Sequence, residues 1–321
     1  MIQTLRTISE VAHLRRVAKW SPDALQRWRD RRLAALVRHA CATVPFYREL
    51  YARAGVDPQA VRGEADLHRL PIVRKSDLQA QPADAITSTA FHAADLVTEQ
   101  TTGSSGRPLA VRFERRWRAV SRAVFLRVLT AAGHRPGAPA LLITAVDRPS
   151  RRAALGLRYV SYKQDHAAIV AALEEHRPEL VYGWVTPLRR LALHAREHGV
   201  RHRPRRIVTT AEALDEPTRR LLGEVFDAQV TQMYGLTEMG AVGFQCGRCD
   251  GFHLADETVI VESHADAHDS GPPRLVMTNL RLRAMPLIRY ETGDCGVVLP
   301  PARCACGRLG RQLQRVEGRL V

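Results

Sequence analysis

Lysine is nearly missing from this chain. Of its 48 basic residues only Lys19, Lys75 and Lys163 are lysines, and the rest are arginine. No Gly-Lys-Ser or Gly-Lys-Thr occurs, which excludes a Walker A phosphate loop. Long apolar runs are also lacking: none approaches the roughly 18 residues of a membrane span. The opening Met1-Ile2-Gln3-Thr4-Leu5-Arg6 lacks the apolar core of a secretory signal. These absences predict a cytoplasmic protein with no membrane partner. Acidic residues are outnumbered, 33 against 48, for a net charge of +15. The arginines are spread along the chain beside Glu and Asp, without a tail or a dense run interleaved with aromatics. That pattern reads as a solvated surface rather than a nucleic-acid surface, and it would equally suit an anionic substrate. No internal repeat, low-complexity tract or local Ser-His-Asp signature is visible, although such sets need not be adjacent in sequence.

What is present is a globular composition, 321 residues with 45% hydrophobic, enough for one large domain or two ordinary ones. Residues 1–95 read as helical. Ser21-Pro22-Asp23 is a helix start, and Leu25, Trp28, Leu33, Leu36, Val37 and Ala40 follow at helical spacing. Residues 96–240 alternate apolar runs with helical segments, the pattern of an α/β core with a mixed or largely parallel sheet. Strands are expected at 96–101, 109–113, 140–144, 157–162, 180–182, 207–210 and 229–233. Helices are expected near 114–132, 166–176, 186–198 and 216–226. Residues 241–321 read as a β-rich subdomain of short strands and turns, with strands at 259–262, 274–278 and 287–290.

Four segments bear chemistry. Thr101-Thr102-Gly103-Ser104-Ser105-Gly106-Arg107-Pro108 can fold tightly and offer backbone N–H groups and hydroxyls to phosphate oxygens. Tyr234-Gly235-Leu236-Thr237-Glu238 follows an expected strand, at the end of an α/β sheet where ligands bind. Its ring can cover a base or aryl group, its glycine allows close backbone approach, and its hydroxyl and carboxylate can reach phosphate and Mg²⁺. Thr209-Thr210-Ala211-Glu212 ends the preceding strand. In Tyr290-Glu291-Thr292-Gly293-Asp294 the carboxylate can accept both hydroxyls of a ribose. Taken singly, the loop reads as a turn, Tyr234 as a core aromatic and Asp294 as a turn residue.

The six cysteines fall into a pattern of their own. Cys246-x2-Cys249-x3-His253 and Cys304-x-Cys306 offer a thiolate-rich tetrahedral Zn²⁺ site against the alternative of free buried thiols. Close pairs in a chain without an export signal favour metal over disulfide. Four protein ligands would leave no open position, so the metal would be structural. Cys41 and Cys295 read as core residues.

With Glu317-Gly318-Arg319, these segments in this order resemble the adenylate-forming superfamily, within it the phenylacetate–CoA ligase, coenzyme F390 synthetase and CapK-like branch. Phe46-Tyr47-Arg48, Leu70-Pro71-Ile72-Val73-Arg74-Lys75-Ser76-Asp77-Leu78 and Arg177-Pro178-Glu179-Leu180-Val181-Tyr182-Gly183 resemble that branch too. The resemblance runs over roughly residues 40–321 and implies the large N-terminal α/β domain of such a ligase. It implies that Thr101, Thr102, Ser104, Ser105 and Gly106 hold the β,γ-phosphates of ATP. Ala211 and Glu212 would line the adenine site, with Tyr234 and Gly235 near the nucleotide. Thr237 would touch the α-phosphate, Glu238 would hold Mg²⁺, Asp294 would bind ribose, and Arg319 would contact ribose or phosphate. Tyr182, Gly183 and Trp184 would line a pocket for an aromatic acid, Trp184 being equally readable as a core aromatic. Branch members can carry a zinc of mixed Cys and His ligands, so His253 competes with Cys249 for the fourth place.

The reaction implied is carboxylate plus ATP to acyl-adenylate and pyrophosphate, normally followed by thioester formation with CoA. It demands charge stabilisation around an in-line attack at the α-phosphorus. The sequence stops at Val321, where the family has a hinge before a mobile C-terminal domain carrying the adenylation lysine. That domain, or an acceptor partner, would act in trans or lie beyond a fragment's end. Two other readings stay open: a non-catalytic or partner-dependent nucleotide-binding protein on a degenerate ligase fold, and a zinc-containing nucleic-acid binder.

Overall fold

The computed structural model describes residues 2–101, 108–145, 156–265 and 271–317. The chain opens with helices α1 (Ile2–Val17), α2 (Pro22–Thr43) and α3 (Pro45–Arg53). Ser21 caps α2 by accepting the Ala24 N–H at 3.2 Å, with Pro22 in the first turn; this satisfies one of the donors a helix start leaves unpaired. Leu33, Leu36, Val37 and Ala40 make its buried stripe. Pro45 begins α3, because proline fits a first turn and not a helix interior. A short helix α4 (Lys75–Gln79) leads to the hairpin of β1 (Leu96–Gln100) and β2 (Ala110–Glu114), then to α5 (Arg115–Ala131).

The core is a sheet built by β3 (Ala140–Thr144), β4 (Leu157–Ser161), β5 (Leu180–Trp184), β6 (Arg206–Thr210) and β7 (Gln229–Leu236), all parallel in the order β4-β3-β5-β6-β7. Helices α6 (His166–His176), α7 (Val185–His198) and α8 (Glu216–Phe226) are the crossovers. They cover one face, against Leu141, Ile143, Val181 and Ile207. Ala140, Leu142, Leu180 and Val208 face the other way, into the cluster that includes α5. Burial on both faces explains why Ala140–Ile143 is uninterruptedly apolar, as in parallel sheets generally.

At β7 the sheet changes character. Its far edge pairs antiparallel with β8 (Gly240–Phe244), and the sheet continues through β9 (Phe252–Leu254), β13 (Leu309–Glu317), β12 (Tyr290–Arg303), β11 (Arg274–Asn279) and β10 (Val259–His264). Eleven strands are thus hydrogen-bonded edge to edge.

Two sequence expectations fail here. The strand expected at 287–290 is present only as Tyr290 at the start of β12. Arg289 has φ +48°, and its buried guanidinium pairs with Glu262 at 3.1 Å and donates to the Leu70 carbonyl; serving both partners takes the backbone out of an extended run. Conversely, β12 is 14 residues long despite Pro300-Pro301. The prolines sit in the register gap between Leu299 and Ala302, where a missing N–H is tolerated. Among the described residues no helix is long and apolar enough to cross a membrane.

Candidate active site

The carboxyl ends of β5, β6 and β7 lie side by side. Trp184 is opposite Thr210, and Thr209 is opposite Gln232. Beyond Thr210 the chain turns at Ala211, whose φ of +69° is a left-handed conformation that costs a non-glycine residue roughly 1–2 kcal/mol. The next residue holds that turn in place. The Glu212 carboxylate accepts the Thr186 N–H at 3.0 Å and the Thr186 hydroxyl, and the Gln232 amide donates to the Glu212 carbonyl at 2.7 Å. Trp184, the cap residue of α7, makes no side-chain cap bond, so Glu212 supplies the acceptor instead. Its carboxylate is committed to the start of α7.

Tyr234 and Asp294, 60 residues apart, meet directly: the phenol donates to the Asp294 carboxylate at 2.7 Å. Burial first, then the neighbouring Asp294, pushes the Tyr234 phenol well above its usual range, so it remains a donor at neutral pH. Asp294 is 8% exposed, and its own N–H donates to the Thr292 hydroxyl at 3.1 Å, which in turn donates to the Leu275 carbonyl. Glu238 is buried and accepts the Tyr290 hydroxyl at 3.1 Å. Gly235 sits at the bulge where β7 and β8 shift register, and a Cβ there would lie 2.7 Å from the Gly240 carbonyl oxygen. No larger residue fits without moving backbone. Thr237 is half-buried in the turn between β7 and β8.

Thr101 closes the β1–β2 loop at its base. Its N–H donates to the Leu109 carbonyl at 3.0 Å and its hydroxyl accepts the Leu109 N–H at 2.9 Å. Thr102, Gly103, Ser104, Ser105 and Gly106 lie outside the described residues, as do Gly318 and Arg319. Tyr182 and Trp184 project from one face of β5. Tyr182 packs edge-on against Phe125 of α5 at 5.0 Å and Trp184 lies 5.2 Å from Tyr162; burial pushes the Tyr182 phenol up to about 12. Gly183 points the other way, where a Cβ would crowd Leu188 at 3.1 Å and Ile143 at 3.3 Å.

The cysteine pairs converge between the β8–β9 connection and the β12–β13 turn. Ligand atoms of Cys246, Cys249, His253 and Cys304 all lie within 4.8 Å of one another. Cys246 Sγ is 3.6 Å from Cys249 Sγ and 3.8 Å from Cys304 Sγ, and Cys249 Sγ is 3.8 Å from His253 Nε2. A tetrahedral ion with bonds of about 2.3 Å to sulfur needs ligand separations of about 3.8 Å, so the donor set fits. Cys306 Sγ is 3.5 Å from His253 Nε2 but stands outside the mutual group. Burial, then Cys246 and Cys304 beside it, pushes the Cys249 thiol up to about 12. Cys295 is buried and Cys41 packs against the core.

Of the residues singled out in the sequence, the fold joins Tyr234 to Asp294 and groups three cysteines with His253. Sequence reasoning passed over Thr186, Gln232 and Tyr290. Tyr290 lies inside a motif of which only Asp294 had been given a role; the other two carry no sequence signal.

Among solved structures, 2-hydroxyisobutyryl-CoA ligase in complex with 2-HIB-AMP and CoA is similar with a TM-score of 0.77 at 21% identity, covering 93% of this chain and 69% of that one. The fold is that of the adenylate-forming ligases. By sequence the chain is similar to phenylacetate–coenzyme A ligases. It is 29% identical to the one of Thermus thermophilus over 92% of this chain and 71% of that protein. It is 25% identical to the one of Aromatoleum evansii over 95% and 73%. No family model matches.

Proposed function

We propose that this chain binds ATP and a small carboxylic acid and forms the acyl-adenylate, which then passes to CoA as a thioester. One observation carries the reading: the Tyr234–Asp294 pair and the Glu238–Tyr290 pair stand at the carboxyl end of β7, beside the left-handed turn at Ala211, in a chain similar to phenylacetate–coenzyme A ligases over nine-tenths of its length. Asp294 binds the ribose hydroxyls, with Tyr234 and Gly235 beside the nucleotide and the Ala211–Glu212 backbone along adenine. Thr237 donates to the α-phosphate. Thr101 anchors the loop whose Thr102, Ser104, Ser105 and Gly106 hold the β,γ-phosphates, and Arg319 contacts ribose or phosphate. Trp184 and Tyr182 line the acid pocket, which suits an aromatic acid, while Gly183, expected there too, faces the α7 side of β5.

A carboxylate oxygen attacks the α-phosphorus, the bond to the bridging oxygen breaks, and pyrophosphate leaves with the negative charge. Glu238 would hold Mg²⁺, which when bound neutralises phosphoryl charge. Cys246, Cys249, His253 and Cys304 would hold a structural Zn²⁺.

The test is ATP–pyrophosphate exchange with a panel of aryl and alkyl acids, run with and without the C-terminal domain of a relative. Acid-dependent exchange supports the reading. Nucleotide binding without exchange under either condition would instead indicate a non-catalytic nucleotide-binding protein, and no calorimetric heat from ATP or an acyl-adenylate mimic would refute both.

A further inference from the structure

We propose that the cleft between α1, α2, the start of α5 and the Arg281 segment binds a phosphorylated small molecule bearing an aromatic ring, a nucleoside diphosphate by chemical class, apart from the β5–β7 groove. The cleft has a volume of about 620 Å³, within the range of small-molecule sites. Arg16, Arg31, Arg32, Arg116 and Arg281 line it, and the only acid among the lining residues is Glu10. The two Glu10 oxygens both accept from Arg281 Nη2 at 2.8 Å. Arg281 is 7% exposed, yet its Nη1 is buried without a hydrogen-bond partner among the described residues. A buried guanidinium N–H left unpaired is costly, and a phosphate oxygen would satisfy it with a charge-assisted bond.

Some surface arginines elsewhere find carboxylates, as in Arg135–Glu179 and Arg201–Glu174. Arg16, Arg31, Arg32 and Arg116 make no ion pair among the described residues. Burial, then Arg281 and Arg116, pulls Arg32 down to about 10, as expected where burial and neighbouring positive charges outweigh a single carboxylate, Glu10.

The aromatic half of the site is built as well. Trp20 and Trp28 meet edge to face at 5.7 Å, and His13 lies 5.1 Å from Trp28. The Arg32 guanidinium stacks over Trp28 at 4.3 Å. His13 Nε2 is buried and unpartnered among the described residues, and burial lowers the pKa of the ring. It therefore stands neutral at pH 7, offering a hydrogen bond rather than a further charge. Indole faces beside guanidinium groups match a planar ring joined to phosphates.

The probe is ADP, titrated by calorimetry into the full chain carrying Asp294→Ala, which weakens nucleotide binding in the proposed groove. The same titration is run with Arg16→Ala/Arg31→Ala added; both arginines are exposed, so their removal spares the core. The expected result is saturable binding of one ADP, weakened about tenfold or more by the double substitution and by added salt. Quenching of tryptophan emission, reduced by Trp20→Phe, should accompany it, and adenosine should bind at least about tenfold more weakly than ADP. Affinity unchanged in the double variant, equal affinity for adenosine, or no saturation up to about 1 mM would overturn the proposal. Both titrations share the Asp294→Ala background, so a difference in affinity between them reports on the cleft and not on the groove.

Discussion

Stripping the zinc proposed for the cysteine cluster is expected to lower the melting temperature while leaving the chain folded at 25 °C. Phe244, Phe252 and Leu313 flank the cluster and are buried in the main core, so the strands that carry the ligands have apolar support of their own. This differs from small zinc fingers, which have little else to hold them. A ligand present at about a hundredfold over its dissociation constant stabilises the native state by about 2.7 kcal/mol. Unfolding entropy near 60 °C is about 2.1 cal/mol/K per residue, or about 0.7 kcal/mol/K for this chain of 321 residues. The expected fall is therefore about 4 °C, reversed when zinc is restored. The assay is zinc content per chain by emission spectrometry, with thermal melts before chelation, after it and after zinc is returned. His253→Ala and Cys304→Ser should each lose the metal, whereas Cys306→Ser should keep it, since that sulfur stands outside the mutual ligand group. Zinc far below one per chain in material made with ample zinc, together with a melt that chelator does not move, would refute the metal assignment.

Glu238→Gln should keep the fold, because the amide oxygen can still accept the Tyr290 hydroxyl, while lowering Mg²⁺-dependent exchange about a hundredfold or more; unchanged exchange would remove Glu238 from the mechanism. Tyr234→Phe deprives the buried Asp294 carboxylate of a donor and should cost about 1–3 kcal/mol in the free protein. Ribose hydroxyls could replace that donor, so the thermal shift produced by AMP should be larger in the variant than in the parent; an equal or smaller shift counts against Asp294 as the ribose acceptor. His39 takes a hydrogen bond on Nδ1 from Arg283 at 2.9 Å and donates from Nε2 to the Arg283 carbonyl at 3.0 Å, the neutral tautomer. Burial lowers its pKa below 6.5, so protonation opposes folding and stability falls as pH drops from about 6.5 toward the lowered value. Denaturant unfolding at about pH 7.5 and 5.5 should show a smaller pH difference in His39→Gln than in the parent.

The parallel half of the sheet was legible in the sequence because its strands and helices differ in period and alternate regularly. All five parallel strands, β3 to β7, and the helices α5 to α8 lie within a few residues of expectation. The antiparallel end was harder to read. The left-handed Arg289 and the length of β12 are set by tertiary partners, Glu262, the Leu70 carbonyl and the β13 ladder, none of which leaves a local pattern. Motif order put Tyr234 and Asp294 at one nucleotide without foreseeing their direct hydrogen bond, and the use of Glu212 as a cap for α7 was not foreseen at all. A carboxylate 26 residues from the helix start whose N–H it accepts has no capping spacing to betray it. The arginine and tryptophan cleft was equally hidden, since its residues come from three helices and a loop far along the chain.

Geometry also separates the two sites proposed along β7. Gly243 stands opposite Tyr234, and Cys246 lies three residues further along, about 10 Å at strand rise, toward the amino end of β7. A nucleotide at the carboxyl end would keep its phosphorus beyond Tyr234, on the far side of that ring from the cysteines. A metal held by four protein ligands at such a remove neither contacts the reacting atoms nor has a position free for them. What it can do is fix the β8–β9 connection against the turn that joins β12 to β13. Those strands carry the consequences forward: β12 bears Tyr290 and Asp294 at its start and Cys304 just past its end, and β8 hydrogen-bonds to the bulge at Gly235. Loss of such a metal would reach the proposed nucleotide site only through strand register. It should appear as weaker nucleotide binding at elevated temperature before any change in the chemical step.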